Sequence, residues 1–345
     1  MDTIIQHLDG SAADIARIEE AGAVIRRGGL VAFPTETVYG LGGDALNAEA
    51  AGRIYAAKGR PADNPLIVHL CRTTDAEAIA AEIPPVFYSL AERFWPGPLT
   101  MILKKSPRVP DNTTGGLATV ALRMPDNEVA LRFIAAAGGF VAAPSANRSG
   151  RPSPTTLEHV IADMAGRVEM IIGGGEARIG LESTIVDLTV APARVLRPGY
   201  VTAEEIAPIV EITGYGRLPT APTDDVVALA PGTKYRHYQP QGRLTVVEGE
   251  AAAVIAYINE QVANDRANGA TTGVIATEES RRHYQADHVK SLGARGDEVA
   301  VAHNLYRALR EFDDAITDVI YSEAFTGEAV RDRLLRAAAG RVVKV

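Results

Sequence analysis

The run Leu30-Val-Ala-Phe33, followed at once by Pro34-Thr-Glu-Thr-Val-Tyr-Gly-Leu41, decides how the chain is read. Apolar residues in unbroken succession predict a short buried strand, and the proline and two threonines behind it stop the strand and deliver hydroxyls to the rim of a sheet. A helical pattern over residues 48–57 then ends on Lys58-Gly-Arg-Pro61, which brings two cations out at a helix C-terminus. Upstream, Ser11 is placed to cap a helix with Ile15, Ile18, Val24 and Ile25 on one side, and Gly28-Gly29 ends it.

Outward from this centre, strand patterns at 66–70, 99–103, 119–122 and 140–143 alternate with helical ones such as 126–137, as in a layered α/β domain. Pro144-Ser-Ala-Asn-Arg-Ser-Gly-Arg-Pro-Ser-Pro154 is a loop leaving a strand end, where binding groups collect. Ile171-Ile172 leads into Gly173-Gly-Gly175, and Leu181-Glu-Ser-Thr-Ile-Val-Asp-Leu188 is another polar rim running into a strand. Arg197-Pro-Gly199 closes the domain, and Thr202 with Glu205 forms a capping box for its last helix.

The periodicity then fades, so residues 1–211 form one domain, 212–242 a linker, and 243–345 a smaller α/β domain with strands at 244–247, 273–276 and 319–321 and helices at 251–264 and 301–313. The second half of the linker, Pro231-Gly-Thr-Lys-Tyr-Arg-His-Tyr-Gln-Pro240, carries two tyrosines, a histidine and two cations, unlike a passive spacer.

Composition narrows the function. A chain of 345 residues with 46% hydrophobic content can bury a full core and suits two domains. No apolar run reaches membrane-spanning length, and Met1-Asp-Thr-Ile-Ile-Gln6 lacks the pattern of a signal peptide, so the expectation is a cytoplasmic protein with no membrane partner. The single cysteine, Cys71, excludes an intrachain disulfide, a zinc ribbon and a two-cysteine redox motif, and its apolar neighbours make it a packed thiol. A net charge of −8 argues against gripping nucleic-acid backbone as the main task.

The stretch from Gly173 to Gly180 lacks the terminal Gly-Lys-Ser/Thr of a phosphate loop and reads as a tight turn. The seven histidines form no metal-binding pair, so no protein metal ligand is assigned, and Ser145 lacks the Gly-x-Ser-x-Gly elbow of a hydrolase. His69 is open to two readings, a satisfied core residue or a ligand contact at the strand's polar end. What remains is a set of rim groups, Thr35, Thr37, Lys58, Arg60, Asn64, Arg123, Ser145, Asn147, Ser183 and Arg197, whose cations and hydroxyls suit an anion pocket.

Pro34-Thr-Glu-Thr-Val-Tyr-Gly-Leu41, Lys58-Gly-Arg-Pro61 with Asn64-Pro-Leu-Ile-Val-His69, Trp95-Pro-Gly-Pro-Leu-Thr100, Pro144-Ser-Ala-Asn147 and Glu182-Ser-Thr-Ile-Val-Asp187 together resemble the YrdC family in order and spacing. Arg197-Pro-Gly199, the aromatic linker and the second domain resemble its long form, the L-threonylcarbamoyladenylate synthases. The resemblance implies an open, twisted mixed sheet in the first domain and a smaller Rossmann-like α/β second domain. It implies that L-threonine, bicarbonate or carbon dioxide, and ATP with magnesium give threonylcarbamoyl-AMP and pyrophosphate, for a downstream threonylcarbamoyl transferase acting on tRNA.

Residue by residue, Lys58, Arg60, Ser145 and Asn147 match the family's signature at the nucleotide and phosphates, with Lys58 and Arg60 as the catalytic pair. Thr37, His69, Arg123 and Ser183 match positions that hold threonine. Asn64, Thr119, Ser153 and Arg197 match ATP contacts, and Tyr235 and Tyr238 match the segment that folds over the cleft, which implies that residues 234–240 are the candidate lid. Two positions depart from the family pattern, Asn127 where a histidine is expected and Gly173 where an aspartate is expected. Carbamoyl-adenylate formation for hydrogenase maturation needs cysteine-rich zinc modules that one cysteine cannot build. A double-stranded RNA binding module without catalysis is the alternative from a different class.

Overall fold

The computed structural model describes residues 1–213, 228–231 and 237–345. The chain opens with β1 (Ile4–His7), α1 (Ala13–Arg26), β2 (Val31–Phe33), β3 (Gly40–Asp44), α2 (Ala48–Lys58) and β4 (Ile67–His69). It continues through β5 (Ala80–Glu82), α3 (Pro85–Phe94), β6 (Leu99–Lys105), α4 (Asp111–Thr114), β7 (Thr119–Arg123), α5 (Glu128–Ala136) and β8 (Val141–Ala143). Then come α6 (Leu157–Met164), β9 (Met170–Gly173), β10 (Thr184–Asp187), β11 (Ala193–Arg197), α7 (Ala203–Ile206) and β12 (Ile212–Thr213).

These strands form one large mixed sheet in the order β1-β9-β2-β3-β8-β4-β7-β6-β10-β11-β12, with β5 paired to β6. Parallel pairs such as β4 with β7 alternate with antiparallel ones such as β4 with β8 and β6 with β7. The register matters for the site, because His69 lies opposite Arg123 at the ends of β4 and β7. Apolar side chains on both faces of the sheet, including Leu41, Val68, Leu122 and Ile171 on one side and Val31, Phe33, Val141 and Ile172 on the other, are buried.

The second domain contains β13 (Arg243–Glu248), α8 (Ala251–Ala267), β14 (Thr272–Ala276), β15 (His288–Ser291), α9 (Glu298–Asp314), β16 (Val319–Glu323), α10 (Glu328–Ala337) and β17 (Val342–Lys344). Its sheet is parallel throughout, in the order β15-β14-β16-β13-β17. The two domains share buried surface: Val38 and Leu181 of the first pack in one apolar cluster with Leu244, Leu305, Leu309 and Phe312 of the second. Arg310 of α9 adds polar contacts, donating to Pro152 O and to Asp163 Oδ2, each at 2.6 Å. Among the described residues, no helix is long and apolar enough to cross a membrane.

Several expectations are adjusted. Ser11 does not cap α1; Ala12 occupies that position without a side-chain bond, while Asp14 accepts hydrogen bonds from the N–H groups of Asp9 and Gly10 and folds the preceding turn onto the helix. Ile15 is exposed, because the buried stripe of α1 runs through Ile18, Ala21, Val24 and Ile25. The capping box of Thr202 with Glu205 is present. Gly173 ends β9 and the chain bends at Gly175, φ +86°, where it anchors Tyr39, whose hydroxyl donates to Gly175 O at 2.6 Å. Asn127, at the position where the family pattern has histidine, caps α5 by accepting from Ala130 N at 3.0 Å. Cys71 is half-buried with its thiol 3.7 Å from Asp75 Oδ2, and burial with the Asp75 charge pushes its pKa up, which keeps it an inert thiol.

Candidate active site

The site begins where β2 ends. Pro34 cannot continue the ladder, and the chain turns through Thr35, whose hydroxyl donates to Val38 O at 2.6 Å and lies 2.9 Å from the Thr37 hydroxyl. This Ser/Thr-type turn fixes Thr37 at the rim, fully buried by what lies over it. The loop after β8 is laced to the same stretch: Tyr39 N donates to Pro154 O, Leu41 N to Pro144 O and Ala146 N to Tyr39 O. Residues 34–41 and 144–154 are therefore one structural unit, although more than 100 positions separate them.

Gly59, in the left-handed conformation at φ +63°, ends α2 and turns the chain between the two signature cations. Lys58 is buried, and its ammonium donates to Ser145 O, to Asn147 O at 2.5 Å and to Asn147 Oδ1 at 3.4 Å. Lys58 thus holds the 145–147 loop from behind. Burial, and then the neighbouring Arg60 charge, hold its pKa well below the usual lysine value. Arg60 donates to Asn64 O at 3.3 Å and to Pro65 O at 3.0 Å, and burial lowers its pKa to about 10.

The cavity itself has a free volume of about 50 Å³, room for a few water molecules at roughly 10–15 Å³ of such volume each. Of the residues predicted for the site, Thr37, Arg60, His69, Arg123, Ser145, Asn147, Ser153, Ser183, Arg197 and Tyr238 line it. Lys58 stands one layer behind. Asn64 is buried next to Arg60 with Oδ1 unpartnered, but it does not reach the lining. Thr119 is half-buried at the far end of β7, opposite Lys104, and at about 3.3 Å per strand residue it lies about 13 Å from Arg123. Tyr235, and Lys234 of the candidate lid, lie outside the described residues; of the linker, Pro231, His237 and Tyr238 form part of the cavity wall.

The threonine-side residues sit together. His69 Nδ1 is 3.2 Å from Ile67 O, and burial, with the Arg123 charge beside it, lowers its pKa to about 3, so the ring is neutral. With the proton on Nδ1, Nε2 remains an acceptor. Arg123 is not a free cation: Glu36 Oε2 lies 2.7 Å from Nη2, a close ion contact without the alignment of a hydrogen bond, and Nε donates to Gly97 O at 3.4 Å. Ser183 Oγ is 2.7 Å from Thr100 Oγ1 and accepts from Arg197 Nη2 at 3.1 Å. Arg197 also donates twice to Ser183 O. Gly199 makes this possible, since a Cβ there would stand 2.3 Å from Thr184 N.

Three lining or supporting groups were not singled out from the sequence. Glu36, in the Pro-Thr-Glu-Thr run, is the buried counter-charge of Arg123. Glu182 is the one carboxylate in the lining among the described residues, accepting from Ser153 Oγ at 2.6 Å. His237 is held neutral, its pKa lowered to about 3 by burial and by Arg60. A buried acid opposite a predicted cation is the signal that points to Glu36; Glu182 owes its state to partners far along the chain. Lys58, Arg60, Arg123 and Arg197 are each at most 8% exposed.

The family model "Telomere recombination", covering Sua5, YciO and YrdC proteins, matches residues 23–199, and the model "Threonylcarbamoyl-AMP synthase, C-terminal domain" matches residues 201–339. The chain is 48% identical over 339 residues to a threonylcarbamoyl-AMP synthase from Pyrococcus abyssi, covering 95% of this chain and 97% of that one. It is 43% identical over 334 residues to one from Bacillus subtilis, covering 95% and 94%. The crystal structure of Pyrococcus abyssi Sua5 complexed with L-threonine superposes with a TM-score of 0.92 at 45% identity over the full length of both chains. The chain belongs to the Sua5/YciO/YrdC family, in the long form that carries the threonylcarbamoyl-AMP synthase C-terminal domain.

Proposed function

We propose that the chain is a threonylcarbamoyl-AMP synthase: it joins L-threonine, bicarbonate or carbon dioxide, and ATP, and releases pyrophosphate. The observation that carries this reading is the meeting of two half-sites in one cavity. Hydroxyls and a neutral imidazole from Thr37, His69 and Ser183 line it together with the guanidinium groups of Arg60 and Arg197 and the side chains of Ser145, Asn147 and Ser153, and Arg197 joins the two sets through Ser183. The relatives' names and the threonine complex of the Pyrococcus abyssi protein support the choice of substrate.

The chemistry asks for what these residues offer. The threonine amine is captured as a carbamate, a carbamate oxygen attacks the α-phosphate, and pyrophosphate leaves, so negative charge grows on phosphate oxygens. Arg60 and Arg197 donate toward that charge in a water-poor cavity, and no covalent nucleophile is needed. His69 Nε2 and the Thr37 and Ser183 hydroxyls suit the amino acid's polar groups. A partner for the threonine hydroxyl rejects valine more strongly than an apolar slot would. Arg123, already balanced by Glu36, serves the threonine carboxylate by hydrogen bonding more than by net charge.

No group of carboxylates or histidines suited to a metal occurs among the described residues, and both oxygens of Glu182 are engaged. Magnesium is proposed only as an ion held by the nucleotide's own phosphate oxygens and water. Pro231, His237 and Tyr238 of the linker form part of the cavity wall, which supports the linker as lid. We place the product's use in tRNA threonylcarbamoyladenosine formation by a downstream transferase, and the protein in the cytoplasm. The test is pyrophosphate release from ATP with magnesium, bicarbonate and labelled threonine. Threonine-dependent release with a labelled nucleotide adduct is expected; none, with salt-sensitive RNA binding instead, overturns the reading.

A further inference from the structure

Two side chains of the second domain reach a lining residue of the first domain's cavity, Glu182. Tyr306 on α9 donates its hydroxyl to Glu182 Oε2 at 2.7 Å, and Arg333 on α10 donates Nε to the same oxygen at 3.0 Å. Ser153 Oγ donates to Oε1 at 2.6 Å. Arg333 is wholly buried, and its Cζ lies 5.7 Å from the ring centroid of Tyr238, which in turn stacks on Tyr306 at 5.2 Å. Tyr238 holds φ at +65°, a strained value for a residue with a bulky side chain, and this packing sustains it.

Glu182 is a problem for a site that takes a polyphosphate, because a bare carboxylate repels the ligand and a protonated one gives up an acceptor. On the nucleotide reading given above, we propose that Arg333 and Tyr306 are positioning residues for the first domain's site. They hold Glu182 as a charge-balanced acceptor that fixes the Ser153 hydroxyl, and they pack the Tyr238 ring themselves, so the second domain supplies part of the affinity for ATP.

The electrostatic surroundings agree. Burial pushes the Glu182 carboxyl up, yet Arg333 and then Arg197 outweigh it and bring the pKa down to about 2. The groups facing Glu182 are Arg333 from α10, Tyr306 from α9, Arg197 from β11, Lys58 from α2, and His237 and Tyr238 from the linker. Without Arg333 the burial of Glu182 is opposed chiefly by Arg197, and the carboxyl titrates at higher pH. ATP binding then becomes pH-dependent, and removing the Glu182 charge relieves the loss.

The test uses the full chain, with KM for ATP from pyrophosphate release between about pH 5 and 9 and threonine affinity by calorimetry. The variants are Arg333→Met, Arg333→Lys, Tyr306→Phe and Arg333→Met with Glu182→Gln. Arg333→Met is expected to raise KM for ATP roughly tenfold and to bend its pH profile on the acid side. Threonine affinity should hold, Arg333→Lys should recover part of the loss, and adding Glu182→Gln should recover more than it costs. Tyr306→Phe should move KM the same way by about threefold. A wild-type chain that releases no pyrophosphate overturns the nucleotide reading itself. An active wild type whose Arg333→Met and Tyr306→Phe variants keep its KM for ATP and its pH profile overturns this inference alone. If Arg333→Met fails to fold, seen as lost threonine binding, Tyr306→Phe decides by the same two readouts.

Discussion

Glu36 Oε2 lies 2.7 Å from Arg123 Nη2, and both side chains are almost wholly removed from water. Breaking a buried pair costs far more than its net worth, because the surviving charge is left uncompensated. Glu36→Ala is therefore expected to destabilise the protein by about 3–5 kcal/mol, read as a lower urea midpoint at unchanged m-value. Glu36→Gln should fall in between. A loss under about 1 kcal/mol would mean the pair behaves like one on the surface.

Lys58 and Arg60 stand differently toward the cavity, one behind the loop and the other in the lining. Each is expected to lower turnover at least about tenfold when changed to alanine, Arg60 because a donor aimed at growing charge is worth several kcal/mol and Lys58 because it holds the loop that carries Ser145 and Asn147. Lys58→Ala should act by releasing the 145–147 carbonyls, so its KM for ATP rises along with the fall in turnover. Far-ultraviolet circular dichroism and the thermal midpoint check that the fold persists. Near-normal rates in both variants would place the chemistry on other residues.

Three histidines are held neutral by burial: His69 and His237 near pKa 3 and His159 near 4. In the unfolded chain they bind protons near pH 6.5, so between that value and about 3 the unfolded state carries more protons than the native one. Their contribution to stability is complete above pH 6.5 and is lost as pH falls, by about 1.4 kcal/mol per unit for each histidine. His69→Gln, which keeps an acceptor but cannot titrate, should lower this slope by about one proton's worth. Urea midpoints measured from pH 4 to 7 would give parallel lines for the two proteins if His69 were free to ionise.

Deleting residues 232–345 strips the second domain's share of a common core, leaving Val38 and Leu181 against water and Asp163 without Arg310. The truncated chain is expected to lose cooperative stability as well as turnover, visible as a lower melting temperature and dye binding to exposed apolar surface. A truncated protein with the parent's melting temperature would reduce the second domain to a tether.

Strand ends carrying chemistry were legible because their signals are local. The stop at Pro34, the cations closing α2 and the turn-forming run 144–154 need only neighbours in sequence. Local rules misled at β3, whose Gly-Leu-Gly-Gly-Asp composition argues against a strand. Packing demands those glycines: a Cβ at Gly42 would stand 2.8 Å from Val141 Cγ1. The short edge strands β15 and β17 and the Arg-rich α10 passed unseen for a related reason, since their place is set by the elements they pair with or pack on rather than by pattern. Glu182 was quoted as part of a motif and still escaped as a site group, because Tyr306 and Arg333 follow it by 124 and 151 positions. No window of sequence relates such residues.

The register between β4 and β7 sets a limit on how this chain can change length. Val68 pairs with Leu122 under the sheet and His69 with Arg123 at the rim, one step along. Side chains alternate between faces, so losing or gaining a single residue within 66–68 turns the imidazole into the apolar layer and offers a valine to the cavity. The same slip moves His69 away from the arginine that Glu36 balances. Insertions and deletions that spare activity should therefore gather outside these strands, and a homologue with one residue more or fewer in β4 should have lost its hold on the amino acid.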